Sequence, residues 1–199
     1  RVIARPFIGE WPYTRTPNRH DFSLEPPAVT LLDMVFKAGL EVLSVGKIND
    51  IFAGRSVTRS QPIKSNTDGM EKTLCIQNEN FSGLCFVNLV DFDMLYGHRN
   101  DVDGYAAAIS AFDVWLSRFL DKMRPEDLLI ITGDHGCDPS TPSTDHSREY
   151  TPMIAYGAFV KNVNLKTRKS FADIGATAAQ YLKVIQKCQG ISFLNSIVM

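Results

Sequence analysis

The sequence of 199 residues has little that would direct it to a membrane or to nucleic acid. No apolar run approaches the roughly 18 residues that a membrane-spanning helix requires. The 21 Lys and Arg residues are balanced by 22 Asp and Glu residues, which leaves a net charge of −1. A balanced charge gives no electrostatic reason to bind nucleic acid or an anionic membrane. We therefore expect neither as a partner.

The sequence also lacks the marks of a secreted protein. It has no CxxC pair and no disulfide-framework spacing, so its four cysteines predict reduced thiols in a cytoplasmic protein: Cys75, Cys85, Cys137 and Cys188. The opening residues, RVIARPFIGEW, contain no Met, no charged-then-apolar layout and no small-residue cleavage site. From this we expect a cytoplasmic chain that has been cut out of a longer protein.

The composition changes near Pro26–Pro27, and this change predicts a domain boundary. Residues 1–26 are rich in Arg, Pro and aromatic residues and hold no period for long, which indicates loops and short extended pieces. Residues 27–199 alternate helical periods with short apolar runs. This alternation is typical of an α/β fold with a largely parallel sheet flanked by helices. There is no internal repeat and no low-complexity tract.

Several elements can be predicted from periodicity. A first helix with Leu31, Met34, Val35 and Ala38 on one face ends at Gly39 and precedes a strand over Val42–Val45. Residues 54–65 are predicted as loop. The later elements are a helix in TDGMEKTLCIQNENF, a strand in LCFVNLV buried on both faces, a helix over 101–123, strands in DLLIIT and at Met153–Tyr156, and a last helix with a Ser170/Asp173 capping box.

Ionisable residues follow two of these strands at the point where each strand ends. LCFVNLV is followed by Asp91, Asp93 and His98, and DLLIIT is followed by Asp134 and His135. Ligands of open α/β sheets bind at the carboxyl ends of the strands. If the two strands are parallel neighbours about 5 Å apart, these side chains converge. The second Asp-His pair, which contains His146, follows in the next loop and is able to join them.

A metal site is the chemistry that this convergence favours. Carboxylates packed together repel one another, and bound cations keep them ionised. Mixed Asp and His ligands suit Mn²⁺, Zn²⁺ or Fe²⁺ better than Mg²⁺ or Ca²⁺, and paired ions are a common device for phosphoryl chemistry. Each residue also has a plain alternative: Asp134 as a turn cap, Asp145–His146 as solvated surface, and His98 as a turn histidine.

Basic residues near the start of the chain point to a phosphorylated substrate when they are taken together with a metal site. Arg1, Arg5, Arg15 and Arg19 lie in the irregular amino-terminal segment, and Arg suits bidentate phosphate binding. Lys47 follows the strand Val42–Val45, a position from which a side chain reaches into a crevice. For any one of these residues taken alone, a solvated surface role remains the alternative.

Three stretches, VDFDMLYGHRND, ITGDHGCDPSTPSTDHSREYTPM and SVGKINDIFAG, resemble the prokaryotic phosphopentomutase family of the alkaline phosphatase superfamily. The resemblance implies interconversion of ribose or deoxyribose 1-phosphate and 5-phosphate, with two Mn²⁺ ions and a phosphorylated threonine. It implies that Asp93, His98 and His146 hold one ion, with Asp91 outside the ligand set, and that Asp134 and His135 contribute to the other. It also implies substrate contacts from four residues: Arg1, Ile3, Arg15 and Lys47.

Family members are about twice as long as this chain, and the resemblance assigns it to their carboxyl-terminal half. On that assignment, residues 1–26 are the trailing edge of a small α+β cap domain and residues 27–199 are half of the metal-binding core. The amino-terminal half would carry the phosphorylated threonine and a further Asp ligand, so we expect no turnover from this chain alone. Cofactor-independent phosphoglycerate mutase, a related metal phosphodiesterase and a non-catalytic interaction module are the competing hypotheses.

Overall fold

The computed structural model describes residues 2–16, 18, 20–184 and 189–199. The amino-terminal segment forms two short antiparallel ladders. The outer ladder pairs the first strand with the fourth and the inner ladder pairs the second with the third. These strands are β1 (Val2–Ala4), β2 (Phe7–Ile8), β3 (Thr14–Arg15) and β4 (His20–Phe22). The predicted boundary near Pro26–Pro27 follows these ladders and remains a prediction.

A parallel three-stranded sheet with helices on both faces is the centre of the fold, which confirms the predicted α/β class. Its strand order is β6-β5-β7, and both pairings are parallel. The elements of this part are α1 (Leu31–Lys37), β5 (Glu41–Val45), α2 (Ile48–Ile51), β6 (Arg59–Gln61), α3 (Asn66–Gln77) and β7 (Gly83–Val87).

The second part of the chain places a long helix and an antiparallel strand pair after this sheet. A π-helical turn over Phe92–Tyr96 and a 3-10 turn over Gly97–Arg99 connect β7 to the long helix. Strands β8 and β9 pair only with each other in the described sheets. The elements are α4 (Val102–Leu120), β8 (Leu129–Thr132), β9 (Met153–Tyr156), α5 (Ala172–Tyr181) and α6 (Leu194–Ile197).

The central strand β5 is buried because its side chains alternate between two apolar layers. Val42 packs with α1 and α5 on one face, whereas Leu43 and Val45 pack against Ile76 of α3 on the other. All three β5 side chains have an exposed fraction of 0%. Burying an aliphatic side chain of this size contributes about 1.5–3 kcal/mol, so β5 fixes the positions of the loops at its carboxyl end.

Helix α1 begins at a capping box that joins three segments of the core. Thr30 Oγ1 accepts a hydrogen bond from the backbone N–H of Asp33, and Asp33 Oδ2 accepts one from the backbone N–H of Thr30 at 2.7 Å. Asp33 Oδ1 accepts from Arg55 Nε at 2.9 Å and from Ser56 Oγ at 2.7 Å. Burial opposes ionisation of Asp33, but these hydrogen bonds outweigh it and lower its pKa from 3.8 to about 2.

Four sequence predictions about this fold are wrong. The two strands expected to be parallel neighbours, β7 and β8, belong to different sheets, since β8 pairs with β9 in antiparallel register. Residues 54–65 contain β6, and β7 is half-exposed rather than buried on both faces. The predicted box at α5 does not form, because the Asp173 carboxylate bonds to Arg168 and to the backbone of Ile191 instead.

Other predictions about the helices and strands are confirmed. The helices α1, α3 and α4 and the strand β5 occupy the segments expected for them. Cys75, Cys85 and Cys137 are free thiols, and Cys188 lies outside the described residues. Among the residues that the structure describes, every helix is too short or too polar to cross a membrane.

Candidate metal centre

Asp91 and Asp93 both lie in the segment that follows β7, but they have different surroundings. Asp91 is buried, and its Oδ2 accepts a hydrogen bond of 2.6 Å from the backbone N–H of Asn66 at the start of α3. The Asn66 side chain returns a bond by accepting from the backbone N–H of Asp91 at 2.8 Å. Asp91 therefore fixes the end of β7 to α3, while Asp93, in the π-helical turn, faces the histidines.

His98 lies next to Asp93, and its tautomer follows from its contacts. Its Nδ1 lies 2.5 Å from the carbonyl oxygen of Thr144. Because a carbonyl oxygen only accepts, Nδ1 carries a proton, and Nε2 is the ring nitrogen that remains to bind a metal ion. This Nε2 lies 3.3 Å from Asp93 Oδ1. The backbone of the later loop thus orients the ring of His98 towards the Asp93 carboxylate.

The loop after β8 folds back on itself and brings His135 and His146 together. Gly136 and Ser147 form an antiparallel bridge across the loop. A side chain at Gly136 would meet the Ser147 carbonyl at 2.5 Å, so this close approach requires glycine. The rings of His135 and His146 stack with centroids 3.7 Å apart. His135 Nδ1 lies 3.0 Å from the Gly136 carbonyl, which leaves its Nε2 free as well.

These residues converge on one point, which we call the Asp-His cluster: Asp93, His98, His135 and His146. His146 Nε2 lies 3.2 Å from Asp93 Oδ1. Ligand atoms of Asp93, His135 and His146 all lie within 4.8 Å of one another. Two nitrogens bound at about 2.0–2.1 Å to one tetrahedral ion are about 3.3 Å apart. The separations of His98 and His146 from Asp93 are of that size.

The Asp93 carboxylate shows that the cluster suits a cation. Its Oδ1 atom is buried and accepts no hydrogen bond in the part of the chain that is described. The Nε2 atoms of His98 and His146 both approach this oxygen, at 3.3 and 3.2 Å. A cation between them, a proton or a metal ion, makes this approach favourable. One carboxylate with several imidazoles is a donor set for Mn²⁺, Zn²⁺ or Fe²⁺.

Asp134 lies beside the cluster and is more exposed. Its side chain is 73% exposed, and its Oδ1 lies 3.7 Å from His135 Nε2. His135 is therefore near Asp134 as well as near the ligand atoms of Asp93 and His146. The division of these residues between two ions stays a prediction.

Negative charge around the cluster affects two neighbouring groups. Burial raises the pKa of the Cys137 thiol, and the charges of Asp93, Glu149 and Asp138 raise it further. Burial likewise raises the pKa of Tyr105, with smaller contributions from the charges of Cys137, Asp93 and Asp134. Burial is the larger cause in both cases, and the carboxylate charges that add to it also favour a cation at the cluster.

Of the four residues expected to contact substrate, the structure places Lys47 beside the cluster. Gly46 turns the chain at the end of β5 with φ of 81° and approaches the backbone of Asn88 too closely for a side chain. Lys47 follows, and its Nζ lies 3.1 Å from Sδ of Met94, the residue after Asp93. Lys47 thus points its charge towards the segment that carries Asp93.

The other three residues lie in or before the amino-terminal ladders. Ile3 is in β1, where it pairs with Asp21. The backbone of Arg15 is in β3, while its side chain and the whole of Arg1 lie outside the described part of the structure. Their role in substrate binding stays a prediction.

Sequence reasoning missed Asn100, which joins the two ligand-bearing segments. Its backbone is left-handed, with φ of 53° and ψ of 33°. Its Nδ2 donates to the carbonyl oxygens of Thr141 and Ser143 in the loop that carries His146. Asn is one of the few residue types that tolerate this conformation, and its place directly after the GHR turn was the available signal.

Several known proteins similar to this chain are phosphopentomutases. The chain is 63% identical over 197 residues to the phosphopentomutase of Lachnoclostridium phytofermentans. The aligned region covers 98% of this chain and 50% of that protein. It is 56% identical over 200 residues to the phosphopentomutase of Acetivibrio thermocellus, and the aligned region covers 100% of this chain and 52% of the relative. The phosphopentomutase of Desulfitobacterium hafniense is 55% identical over the same length.

The chain spans about half the length of these curated relatives. The resemblance predicted from its motifs is confirmed. The family description "Metalloenzyme superfamily" matches residues 14–186, a range that includes every residue of the Asp-His cluster. The chain belongs to the metalloenzyme superfamily.

Proposed function

We propose that this chain is the carboxyl-terminal half of a phosphopentomutase, an isomerase that interconverts (deoxy)ribose 1-phosphate and (deoxy)ribose 5-phosphate. The observation that carries the proposal is the buried Asp93 Oδ1, which accepts no hydrogen bond in the described structure and lies within 3.3 Å of the Nε2 atoms of His98 and His146. The high identity to phosphopentomutases selects this reaction among those of the superfamily. Mn²⁺ is the proposed metal, because the resemblance to the phosphopentomutase family implies it and a donor set of carboxylate and imidazole accepts it.

In the proposed site, Asp93, His98 and His146 hold one ion, and Asp134 and His135 contribute to the second. When bound, the ions supply positive charge to the equatorial oxygens of the phosphoryl group in transfer. The stacked rings of His135 and His146 keep both nitrogens in fixed positions. The Thr144 carbonyl keeps the proton of His98 on Nδ1, so that Nε2 remains free for the metal.

The proposed reaction passes a phosphoryl group from a threonine, supplied by the rest of the protein, to the free hydroxyl of a pentose monophosphate. The product is a pentose bisphosphate, and after it reorients its other phosphate returns to the threonine. Lys47, Arg1, Ile3 and Arg15 are the proposed substrate contacts, with Lys47 placed to balance phosphate charge. The proposed partner of this chain is the amino-terminal half that carries the threonine and the remaining Asp ligand.

Titration of the 199-residue chain with Mn²⁺ by isothermal calorimetry tests the metal site. We expect weak binding that Asp93→Ala and His146→Ala abolish, because each removes an atom from the cluster. Asp113→Asn is the matched control, since Asp113 is exposed on α4, away from the ligand loops. If both cluster variants bind Mn²⁺ as the unaltered chain does, the metal site is wrong and a non-catalytic module becomes the better interpretation.

A coupled assay with ribose 1-phosphate tests the division of the active site between two halves. We expect no turnover from this chain alone and turnover when the amino-terminal half is present. Full turnover by the chain alone would contradict the proposal. Activity of the whole protein on phosphoglycerate, with none on pentose phosphates, would favour the phosphoglycerate mutase hypothesis instead.

A further inference from the structure

The two segments that build the Asp-His cluster come from strands that do not pair with each other. Asp93 and His98 follow β7, whereas His135 and His146 follow β8, and these strands lie in different described sheets. The backbone ladders therefore do not set the distance between the two segments. Side-chain contacts between them must hold the cluster together.

Asn100 makes two such contacts with one side chain. Its Nδ2 donates to the Thr141 carbonyl and, at 3.2 Å, to the Ser143 carbonyl. Both amide protons thus point into the loop that leads to His146. Because both partners are carbonyl oxygens, the amide has only one favourable orientation, with the nitrogen towards the loop. Its Oδ1 is buried and accepts no hydrogen bond in the part of the chain that is described.

The backbone conformation of Asn100 directs its side chain towards the loop that carries His146. The backbone N–H of Asn100 donates to the Gly97 carbonyl at 3.2 Å and closes the short turn that contains His98. The left-handed conformation that follows would strain most other residues by about 1–2 kcal/mol. Asn therefore meets two demands at once: it tolerates the turn, and it supplies two donors in a fixed direction.

Apolar packing does little to hold this loop. Pro142, Ser143, Thr144 and Asp145 are all exposed, so apolar burial contributes little to their placement. The Thr144 carbonyl that orients His98 lies one residue beyond the Ser143 carbonyl that Asn100 bonds. Releasing Asn100 would therefore loosen the oxygen that sets the His98 tautomer, as well as the segment that places His146.

We infer that Asn100 is a positioning residue of the metal centre, acting through the backbone of residues 141–144 to hold His98 and His146 at one distance from Asp93. This inference depends on the proposed function, because it takes the cluster to be a metal site. It predicts that Asn100 affects metal affinity without touching the metal, and that its amide donors are the reason.

Two variants separate the amide from the backbone. Asn100→Gly keeps the left-handed turn and removes the side chain. Asn100→Asp keeps the shape and the turn, but its carboxylate has no proton to donate to the two carbonyls. We expect both variants to weaken Mn²⁺ binding at least about tenfold in calorimetry, in line with the loss of other groups that orient metal ligands. Their urea midpoints should match that of the unaltered chain within error.

Hydrogen exchange provides a readout that needs no metal. Amides of residues 141–147 should exchange at least about tenfold faster in both variants, while β5 amides keep their protection. Ser140→Ala is the matched control, because Ser140 bonds Asp138 within the same loop and not the segment of Asn100. We expect Ser140→Ala to leave the Mn²⁺ affinity unchanged.

The outcomes distinguish this inference from the proposed function. If the unaltered chain binds Mn²⁺ at the cluster and both Asn100 variants bind it equally well, the inference is overturned and the proposed function stands. If Ser140→Ala weakens binding as much as the Asn100 variants do, general loosening of the loop explains the effect and the inference again fails. If the unaltered chain does not bind Mn²⁺ through Asp93 and His146, both are overturned.

Discussion

Replacing Asp33 with Asn should destabilise the fold by removing the charge that joins α1 to the segment after α2. The carboxylate is 3% exposed and accepts four hydrogen bonds, two on each oxygen. An amide of the same shape keeps one acceptor oxygen and turns two donors towards groups that also donate. Arg55, whose Nε lies 2.9 Å from Oδ1, would lose its counter-charge in a half-buried position.

The size of the effect follows from the pKa of Asp33. Lowering that pKa from 3.8 to about 2 corresponds to about 2.5 kcal/mol of preferential stabilisation of the ionised form. With the cost of leaving partners unpaired, Asp33→Asn should lower the free energy of unfolding by about 2–4 kcal/mol at neutral pH. Because the pKa is lower in the folded state, this contribution is complete above about pH 4 and disappears as the pH falls towards 2.

Urea unfolding followed by circular dichroism measures both parts of this prediction. The free-energy difference between the unaltered chain and Asp33→Asn should be the same at pH 7 and pH 5. Asp113→Asn, which changes an exposed carboxylate, should alter stability by less than about 0.5 kcal/mol. A loss below about 0.5 kcal/mol for Asp33→Asn at neutral pH, or a difference that vanishes already near pH 6, would refute the reasoning.

Three further predictions follow from other sites. Gly136→Ala should weaken Mn²⁺ binding in calorimetry at least about tenfold, because its methyl group opens the bridge across the ligand loop; unchanged affinity would contradict this. Asp91→Ala should lower the free energy of unfolding by about 1–3 kcal/mol, since it leaves the Asn66 backbone N–H without its acceptor; a urea midpoint equal to that of the unaltered chain would contradict this. Burial raises the pKa of Cys85 to about 12, so at about pH 8 mass spectrometry should find exposed Cys75 alkylated well before Cys85; the reverse order would contradict this.

The helical segments were predictable because their signals are local. The apolar face of α1 is read from four residues within eight positions, and α4 shows the same period over five turns. Strand β5 was predictable for a related reason, since a short apolar run between a helix and a glycine usually forms a buried strand in an α/β chain. In each case the deciding interactions lie within a few residues of one another.

The sheet could not be predicted to the same extent, because strand pairing depends on distant segments. The sequence of β8 is compatible with parallel or antiparallel neighbours, and its packing with β9 selects the antiparallel one. The short β6 consists of Arg, Ser and Gln, which give no apolar signal in the sequence. It forms a strand because its backbone hydrogen-bonds to β5. Asp173 resembled a helix cap locally, whereas Arg168 and the distant Ile191 decided its contacts.

The Asp-His cluster was anticipated although the strand pairing behind that expectation was wrong. Asp93, His98 and His146 do meet, but the connection between their segments comes from side-chain and turn contacts rather than from adjacent parallel strands. Ligand chemistry is visible in a sequence because Asp and His are conspicuous residue types. The groups that orient these ligands, such as Asn100 and the Thr144 carbonyl, have no distinctive sequence pattern, so only the structure reveals their role.

The position of β7 at the border of its sheet matters for anyone who prepares this polypeptide. Within the described sheets, β7 bonds β5 on one side and has no ladder partner on the other, an arrangement that favours pairing with another extended chain. At high protein concentration, the chain most available for such pairing is another copy of the same polypeptide. Purification should therefore be carried out at low protein concentration, so that self-association does not consume the material.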